Sequence, residues 1–394
     1  MIKVVLKPRK ARPFYGRHPW VLDSAIDRVA GAPADGDVVE LLSDKGKFIA
    51  RGIFNSRSRI RVRLYTWKAA EQLDETFWRG RLQNALALRA QLGYQDPGGA
   101  VRLVYSEGDG LSGLIVDRYA DYLAVQVTAL AIAVRLDSIV PMLVELTQPR
   151  GIVLRTERGI TRAEGLELRD GPHWGQMPEE PLIITEHGLR YRVDLAEGQK
   201  TGFYLDQREN RKAAAAYFRG RRVLDVFCYS GGFALAAAAL GGADDVLGID
   251  ASQKAVALAQ ANAELNGLRS VHFLAGDCFE TLEALVAAGE QFGGVVLDPP
   301  KFARSRGALS EALRAYHWLN RLGVGLLKPG GILVTCSCSG HVTREDFLDM
   351  LLGVAQQSGR QIQVLEQRGA SPDHPVSATC RESEYLKCFI CRVV

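Results

Sequence analysis

The chain has 394 residues, 47% of them hydrophobic and 24% charged, an ordinary balance for a globular protein with room for two or three domains. Its net charge is only +4, but residues 1–65 hold fourteen Lys and Arg against six Asp and Glu, so that segment carries +8 and the remainder −4. The opening MIKVVLKPRKARP lacks the apolar core of a signal peptide, and no apolar run reaches the length of a membrane span. Seven cysteines, six of them beyond residue 270, do not fit a disulfide framework. We therefore expect a cytoplasmic protein with no membrane association, and the basic first segment suggests a polyanionic partner.

Short strands come first. DGDVVELLSDKGKFIARGIFN alternates apolar and polar residues around a turn at Asp44–Gly46. SRIRVRLYTW continues the pattern, with Ile60, Val62 and Leu64 predicted on one face and Arg59, Arg61 and Arg63 on the other. Arg17, His18 and Trp20 precede it in YGRHPWVLDSAI. Basic side chains interleaved with aromatics suit RNA, where phosphates and unstacked bases are held together. These six residues are the candidate RNA contacts; the plainer expectation is a small β-barrel with a charged exterior.

Residues 74–94 space their apolar side chains as a helix and stop at Gly93. VRLVYSEGDGLSGLIVDRYADYLAVQV then reads as strands, residues 130–146 as an apolar helix, and GIVLRT as a further strand, so residues 75–180 form an α+β unit. RDGPHWGQMPEEP reads as a linker. From 181 to 394 the pattern is strand and helix in turn. RRVLDVF, DDVLGID, SVHFLAGD, GGVVLDPP and GGILVTCS are the strands, with helices predicted at 231–240, 252–265, 279–288 and 309–327. This is a doubly wound α/β sheet, in which ligands sit at the carboxyl ends of the strands.

Those ends carry the chemistry. VLDVFCYSGGF is a strand, a glycine turn and a helix start, with Tyr229, Ser230 and Gly231 placed to meet a ligand. The dinucleotide fingerprint is missing, and Asp225 lies inside the preceding strand, where it would repel a pyrophosphate. S-adenosylmethionine suits the pattern, being cationic and free of phosphate. Asp250, followed by Ala251, ends the next strand in position for ribose hydroxyls, and Asp277 ends the third in position for the adenine amino group. Any one of these aspartates alone could be a helix cap; together, on successive strands, they indicate a nucleoside cofactor.

DPPKF (Asp298 to Phe302) ends the fourth strand and suits the edge of a planar base; the plainer alternative is a turn that merely ends the strand. LVTCSCSGH then places Cys338 at or just past the end of the fifth strand, between two serines. A thiol there suits methylation of a pyrimidine at C5, because thiolate addition at C6 makes C5 nucleophilic. Cys336, Cys228 and Cys278 read as core residues. Zinc is the competing reading, through C-x-C with Cys388, Cys391 and His341 or His374. Cys388 and Cys391 are three apart in a predicted strand and point to opposite faces, which weighs against it, so no metal is expected.

Through GRHPWVLDSAI, GKFIARGIFNSRSRIRVR, SEGDGLSGLIVDRY, GQKTGFYLDQRENR, VLDVFCYSGGF, DPPKF, SCSG and DHPV, the chain resembles the large-subunit (23S) ribosomal RNA cytosine-C5 methyltransferase I family over essentially its whole length. The resemblance implies a PUA-like RNA-binding domain over residues 1–67, a central α+β domain over 75–180 and a class I methyltransferase sheet over 181–394. It implies S-adenosylmethionine as donor, a flipped cytosine of large-subunit rRNA as substrate, Cys338 as nucleophile and Asp298 as its partner on the base. It also implies that Lys200, Thr201, Phe203, Asp206 and Arg208 lie over cofactor or substrate. Relatives in the wider class carry a second cysteine where this chain has Lys301; Lys301, His374 or water remains open as acceptor of the C5 proton. A homodimer is left open. Two other functions stay in view, a guanine-modifying enzyme on the same fold and a non-catalytic RNA-binding assembly factor.

Overall fold

In the computed structural model, residues 2–195, 202–303 and 306–394 are described. Alternating apolar residues give the first sheet. Its elements are β1 (Ile2–Leu6), α1 (Arg12–Tyr15), β2 (Trp20–Leu22), β3 (Ile26–Ala30), β4 (Val38–Leu42), β5 (Phe48–Phe54) and β6 (Ile60–Thr66), in sheet order β2-β6-β5-β4-β1-β3. Val4, Leu6, Val39, Leu41, Val62 and Leu64 fill its core. The turn expected at Asp44–Gly46 is present: Gly46 sits at φ +73° and donates its N–H to the Ser43 carbonyl at 2.9 Å.

The second sheet is built from α2 (Glu75–Gln91), β7 (Ala100–Tyr105), β8 (Leu114–Tyr119), β9 (Tyr122–Val127), α3 (Leu130–Ala133), α4 (Leu136–Thr147), β10 (Gly151–Arg155), α5 (Arg158–Glu164) and β11 (Gly171–Gly175), in order β11-β10-β9-β8-β7. Asp74 starts α2 by accepting the Phe77 N–H at 3.0 Å. The stretch read as a linker is corrected here. Its GPHWG forms the edge strand β11, antiparallel to β10. That segment has no apolar alternation, so nothing local marks it; pairing with β10 makes it a strand. A Cβ on Gly151 would lie 2.0 Å from the Gln176 carbonyl oxygen, so this approach requires glycine.

A hairpin of β12 (Leu182–Glu186) and β13 (Leu189–Val193) precedes the third sheet. There follow α6 (Arg208–Ala215), β14 (Arg222–Val226), α7 (Gly232–Ala239), β15 (Asp245–Asp250), α8 (Gln253–Leu265), β16 (Val271–Ala275), α9 (Cys278–Ala287), β17 (Phe292–Leu297), α10 (Leu309–Gly325), β18 (Leu327–Ser337), α11 (Arg344–Ser358), β19 (Ile362–Arg368) and β20 (Lys387–Val393). The sheet order is β16-β15-β14-β17-β18-β20-β19. The first five strands are parallel and β20 is antiparallel to both its neighbours. Parallel strands covered on both faces are apolar throughout, which is why the VLD and VVLD runs stand out in the sequence. The chain runs outward from β14 to β16 and then returns to β17. That reversal opens a crevice at the carboxyl ends of β14 and β17.

The described residues divide into two compact units, Met1–Leu182 with Val193–Leu205 and Pro372–Ser383, and Ile183–Arg192 with Asp206–Ser371 and Glu384–Val394. Among them, no helix is long and apolar enough to cross a membrane.

Candidate active site

The turn after β14 is held in a costly conformation. Phe227 (φ +64°), Tyr229 (φ +47°) and Gly231 (φ +82°) all lie in the left-handed region, which costs a non-glycine residue roughly 1 kcal/mol or more. Several hydrogen bonds impose it. The Tyr229 N–H donates to Asp250 Oδ2 at 2.9 Å, the Cys228 N–H to the Ile249 carbonyl at 3.0 Å, and Asn262 Nδ2 to the Ser230 carbonyl at 3.0 Å. A Cβ on Gly231 would meet Leu235 at 2.8 Å and Phe273 at 3.0 Å, so glycine is required for space as well as for φ. Asp250 spends its other oxygen on the Ser252 N–H at 2.9 Å, leaving lone pairs on both oxygens for a ligand. Ala251, the residue between, is exposed.

Asp225 is buried at the end of β14, where Oδ2 accepts the Ala234 N–H of α7 at 2.9 Å. Burial raises its carboxyl well above the ordinary range, and the charges of Asp298 and Asp250 raise it further; the Ala234 bond and Arg211 act the other way. Three carboxylates at the ends of three neighbouring strands are therefore close enough for two of them to act on the third. A ligand that brings positive charge relieves their repulsion, and S-adenosylmethionine, with a sulfonium and an ammonium, fits this donor set. Asp277 is exposed and caps α9, its Oδ1 accepting from the Phe279 N–H at 2.9 Å and the Glu280 N–H at 3.0 Å. The capping role weighed for strand-ending aspartates thus holds for Asp277.

Sequence reasoning did not single out Glu186 and Arg211. Arg211 makes two bonds of 2.7 Å to the Glu186 carboxylate, and its stem lies 3.0 Å from where a Cβ on Gly232 would stand. This buried pair backs the start of α7. Arg208 faces the same carboxylate, with Nε 3.6 Å from Glu186 Oε2. Asp206 is buried, bonded to the Tyr385 hydroxyl through Oδ2 and to the Ser371 N–H through its carbonyl at 2.9 Å. Neither residue carried a signal beyond motif resemblance, because the partners come from distant segments.

Cys338 follows β18 directly. Among the seven cysteines, all described, the other six are buried and Cys338 alone has partial access to solvent. Its Sγ lies 4.0 Å from the Pro299 carbonyl of the Asp298 turn. The two flanking serines are buried and hold the loop. Ser339 Oγ accepts the Ala303 N–H at 3.2 Å and sits 3.3 Å from the Tyr316 hydroxyl, while Ser337 Oγ accepts the Ser339 N–H at 3.4 Å. Burial pushes the Tyr316 hydroxyl up to about 12. Asp298 is half-buried and Lys301 is exposed on the same turn. Lys387, which no sequence pattern marked, is buried at the start of β20 and donates to the Ser339 carbonyl at 2.6 Å.

Other expected residues belong to the first unit or fall outside the described residues. Phe203 belongs to the first unit, where its N–H donates to the Tyr119 hydroxyl at 3.0 Å; Lys200 and Thr201 lie outside the described residues. His374 is buried in the first unit, with Nδ1 2.9 Å from Asp373 Oδ1. The arginine row of β6 is corrected. Arg59 is exposed, but Arg61 folds back onto the Asn55 carbonyl at 3.2 Å, and Arg63 is only 8% exposed. Arg63 reaches Glu164 at 3.0 Å, Ser112 at 3.1 Å and Glu107 at 3.4 Å. Alternation placed Arg63 on the outer face, but the second sheet covers that face and supplies the acids. Trp20 is tied to the same acid, its Nε1 donating to Glu107 at 2.9 Å, whereas Arg17 is exposed. Cys388 and Cys391 are buried within β20. The one His/Cys/acid cluster of ligand size among the described residues is His18, Cys380 and Glu382. There the Trp20 N–H donates to His18 Nδ1 at 3.2 Å, which puts the ring proton on Nε2, facing Glu382 at 3.3 Å.

A crevice of carboxylates at the switch point of a seven-stranded sheet whose one antiparallel strand, β20, lies between β18 and β19 is that of an S-adenosylmethionine-dependent methyltransferase. The family model of that description matches residues 170–383, and a PUA-like domain model matches residues 4–67. The chain is 38% identical over 394 residues to the ribosomal RNA large subunit methyltransferase I of Klebsiella pneumoniae strain 342, covering 100% of this chain and 98% of the relative. It is 41% identical over 379 residues to the Aeromonas hydrophila protein of that name (95% of each) and 38% identical over 395 residues to that of Escherichia coli strain K12 (100% of each). This chain belongs to the ribosomal RNA large subunit methyltransferase I family, and its methyl donor is S-adenosylmethionine. Two solved structures share the fold along both whole chains: one described as a methyltransferase complexed with S-adenosylhomocysteine (TM-score 0.86, 23% identity) and one described as a methyltransferase from Streptococcus mutans (TM-score 0.85, 22%).

Proposed function

We propose that this enzyme methylates C5 of a cytosine in large-subunit ribosomal RNA through a transient bond between Cys338 and C6 of the base. The observation that carries the reading is Cys338 itself: the accessible thiol of the chain stands at the carboxyl edge of the methyltransferase sheet, against the Asp298 turn. A guanine nitrogen is nucleophilic without covalent help and gives no reason for a thiol at this place.

Bound in the crevice, S-adenosylmethionine supplies an electrophilic methyl group. Asp225, Asp250, Asp277 and the turn through Tyr229, Ser230 and Gly231 would hold it. Asp298 holds the cytosine edge, accepting from the exocyclic amine and, when protonated, donating to N3. The Cys338 thiolate adds to C6, and its electron pair makes C5 nucleophilic. C5 takes the methyl group, the C5 proton departs to water, and the C5–C6 double bond reforms as the C6–S bond breaks. The base must leave its stack to reach the crevice, so the substrate presents it flipped or unpaired. Exposed Arg17 and Arg59 of the PUA-like domain, with His18, are the residues we assign to the RNA backbone.

The test is chemical trapping. Large-subunit rRNA fragments carrying 5-fluorocytosine should yield a denaturation-resistant adduct mapped to Cys338, because fluorine cannot leave as a proton does. Methylation of ordinary RNA that persists in Cys338→Ala would overturn the covalent route and favour the guanine reading.

A further inference from the structure

We infer that Lys387 is a positioning residue for Cys338: its ammonium group anchors the loop that carries the thiol and supplies the positive charge against which the thiolate forms. The inference rests on the covalent role proposed above and adds to it a residue from another strand.

Lys387 opens β20 and pairs with Ser337 at the last rung of the β18–β20 ladder, one residue short of Cys338. Its side chain turns inward and only 3% of the residue is exposed. Nζ donates to the Ser339 carbonyl at 2.6 Å and to the Tyr385 carbonyl at 2.8 Å, and it makes no ion pair among the described residues. A lysine in such a place is unusual, since burying an ammonium is costly unless an anion compensates it. Two carbonyls satisfy two of its three protons but cancel none of its charge. A neutral side chain would brace Ser339 as well.

The charged and titratable groups that act most on Lys387 are Cys338, Glu384, Arg344 and Asp346. Burial lowers Lys387 to about 8; Cys338, Glu384 and Asp346 pull it up, and Arg344 pushes it down. Arg344 is itself bound to Glu384 at 2.8 Å, and Asp346 is engaged in capping α11 with Thr343. Those charges are spent locally. Asp298 belongs to the turn that Cys338 meets at the Pro299 carbonyl, and its negative charge opposes a thiolate. Lys301 shares that turn, but it is exposed and its charge is solvated. Lys387 is therefore the desolvated cation of the site, and the anion missing from its surroundings is the one the reaction creates.

Iodoacetamide alkylation of Cys338, followed by peptide mass spectrometry on the full chain between pH 5 and 10, reads this without RNA or methyl donor. The six buried cysteines report any loss of folding by becoming reactive. The expected wild-type midpoint lies below the ordinary thiol value of about 8.5. Lys387→Gln keeps a donor for Ser339 and removes the charge; it should raise the midpoint by about one unit or more, a roughly tenfold slower alkylation at pH 7. Lys387→Arg keeps the charge and should stay near wild type. Methyl transfer should fall in Lys387→Gln through kcat, with KM for RNA unchanged. A wild-type midpoint at or above 8.5 overturns the inference with no variant needed, and so does an unshifted profile in folded Lys387→Gln. If the fluorocytosine adduct forms while that profile is unshifted, this inference alone fails. If Cys338→Ala still methylates, the covalent reading fails and the alkylation profile still decides whether the charge acts on the thiol.

Discussion

The arginines of β6 and the aspartates at the carboxyl edge of the seven-stranded sheet look alike in the sequence: each is a set of like charges at regular structural intervals, and each reads as a surface for a ligand. The fold treats them in opposite ways. Arg63 is covered and meets Glu107 and Glu164, and Arg61 is spent on nearby carbonyls. Asp225, Asp250 and Asp298 are brought within range of one another, and burial with mutual repulsion raises Asp225. A row of charge that the fold neutralises is architecture. A row that the fold forces together awaits an oppositely charged ligand, because nothing in folding alone favours such crowding.

The strongest challenge to this contrast falls on the edge where the acids converge. Cys338→Ala should lower methyl transfer on the order of a millionfold, as loss of a nucleophile does, while S-adenosylhomocysteine binding by calorimetry stays unchanged. Retained transfer would mean that the crevice binds its cofactor but performs different chemistry.

Next comes Arg63. Arg63→Ala leaves two buried carboxylates without their cation and should cost about 3–5 kcal/mol in chemical denaturation at neutral pH. Despite burial, the Arg63 charge and hydrogen bonds from Ser106, Ser112 and Trp20 hold Glu107 below its usual value. A depressed carboxyl stabilises above its unfolded pKa and loses that contribution as pH falls through the folded value. In the variant, burial is opposed only by the hydrogen bonds from Ser106, Ser112 and Trp20, so Glu107 rises and protonation relieves it. The gap between wild type and variant should therefore be widest near neutrality and narrow on acidification below about pH 4.5, the ordinary value for this carboxyl. A gap that widens in acid would remove Arg63 from the structural class.

Asp225→Asn should weaken S-adenosylhomocysteine about 10- to 100-fold, the usual worth of one charged hydrogen bond. Since Asp225 must ionise to favour a cation and burial raises it in the free protein, wild-type affinity should climb with pH until that raised carboxyl is ionised, well above the ordinary value of 3.8, and the variant should lack that climb. The smallest effect is expected at exposed Arg59. Arg59→Ala should change stability by no more than about 0.5 kcal/mol and weaken RNA binding a few-fold, with the salt slope reduced by about one. A stability loss like that of Arg63→Ala would merge the two arginines into one class.

Local chemistry was enough to read much of this protein. Apolar runs ending in aspartate marked the parallel strands and their ligand edge, because a strand buried on both faces leaves polar residues only at its ends. The glycine turn, the Asp298 prolines and the thiol at the end of β18 were legible for the same reason: their residue types are costly or reactive wherever they fall. What the sequence could not decide is which charges meet. β11 became a strand only by lying against β10, Arg63 became a buried ion pair because Glu107 and Glu164 arrive from 44 and 101 residues away. Lys387 joined the thiol because β20 returns antiparallel to β18. Periodicity reports the face a side chain takes; only tertiary contact reports what covers that face, and with it whether a charge is neutralised, solvated or held ready for chemistry.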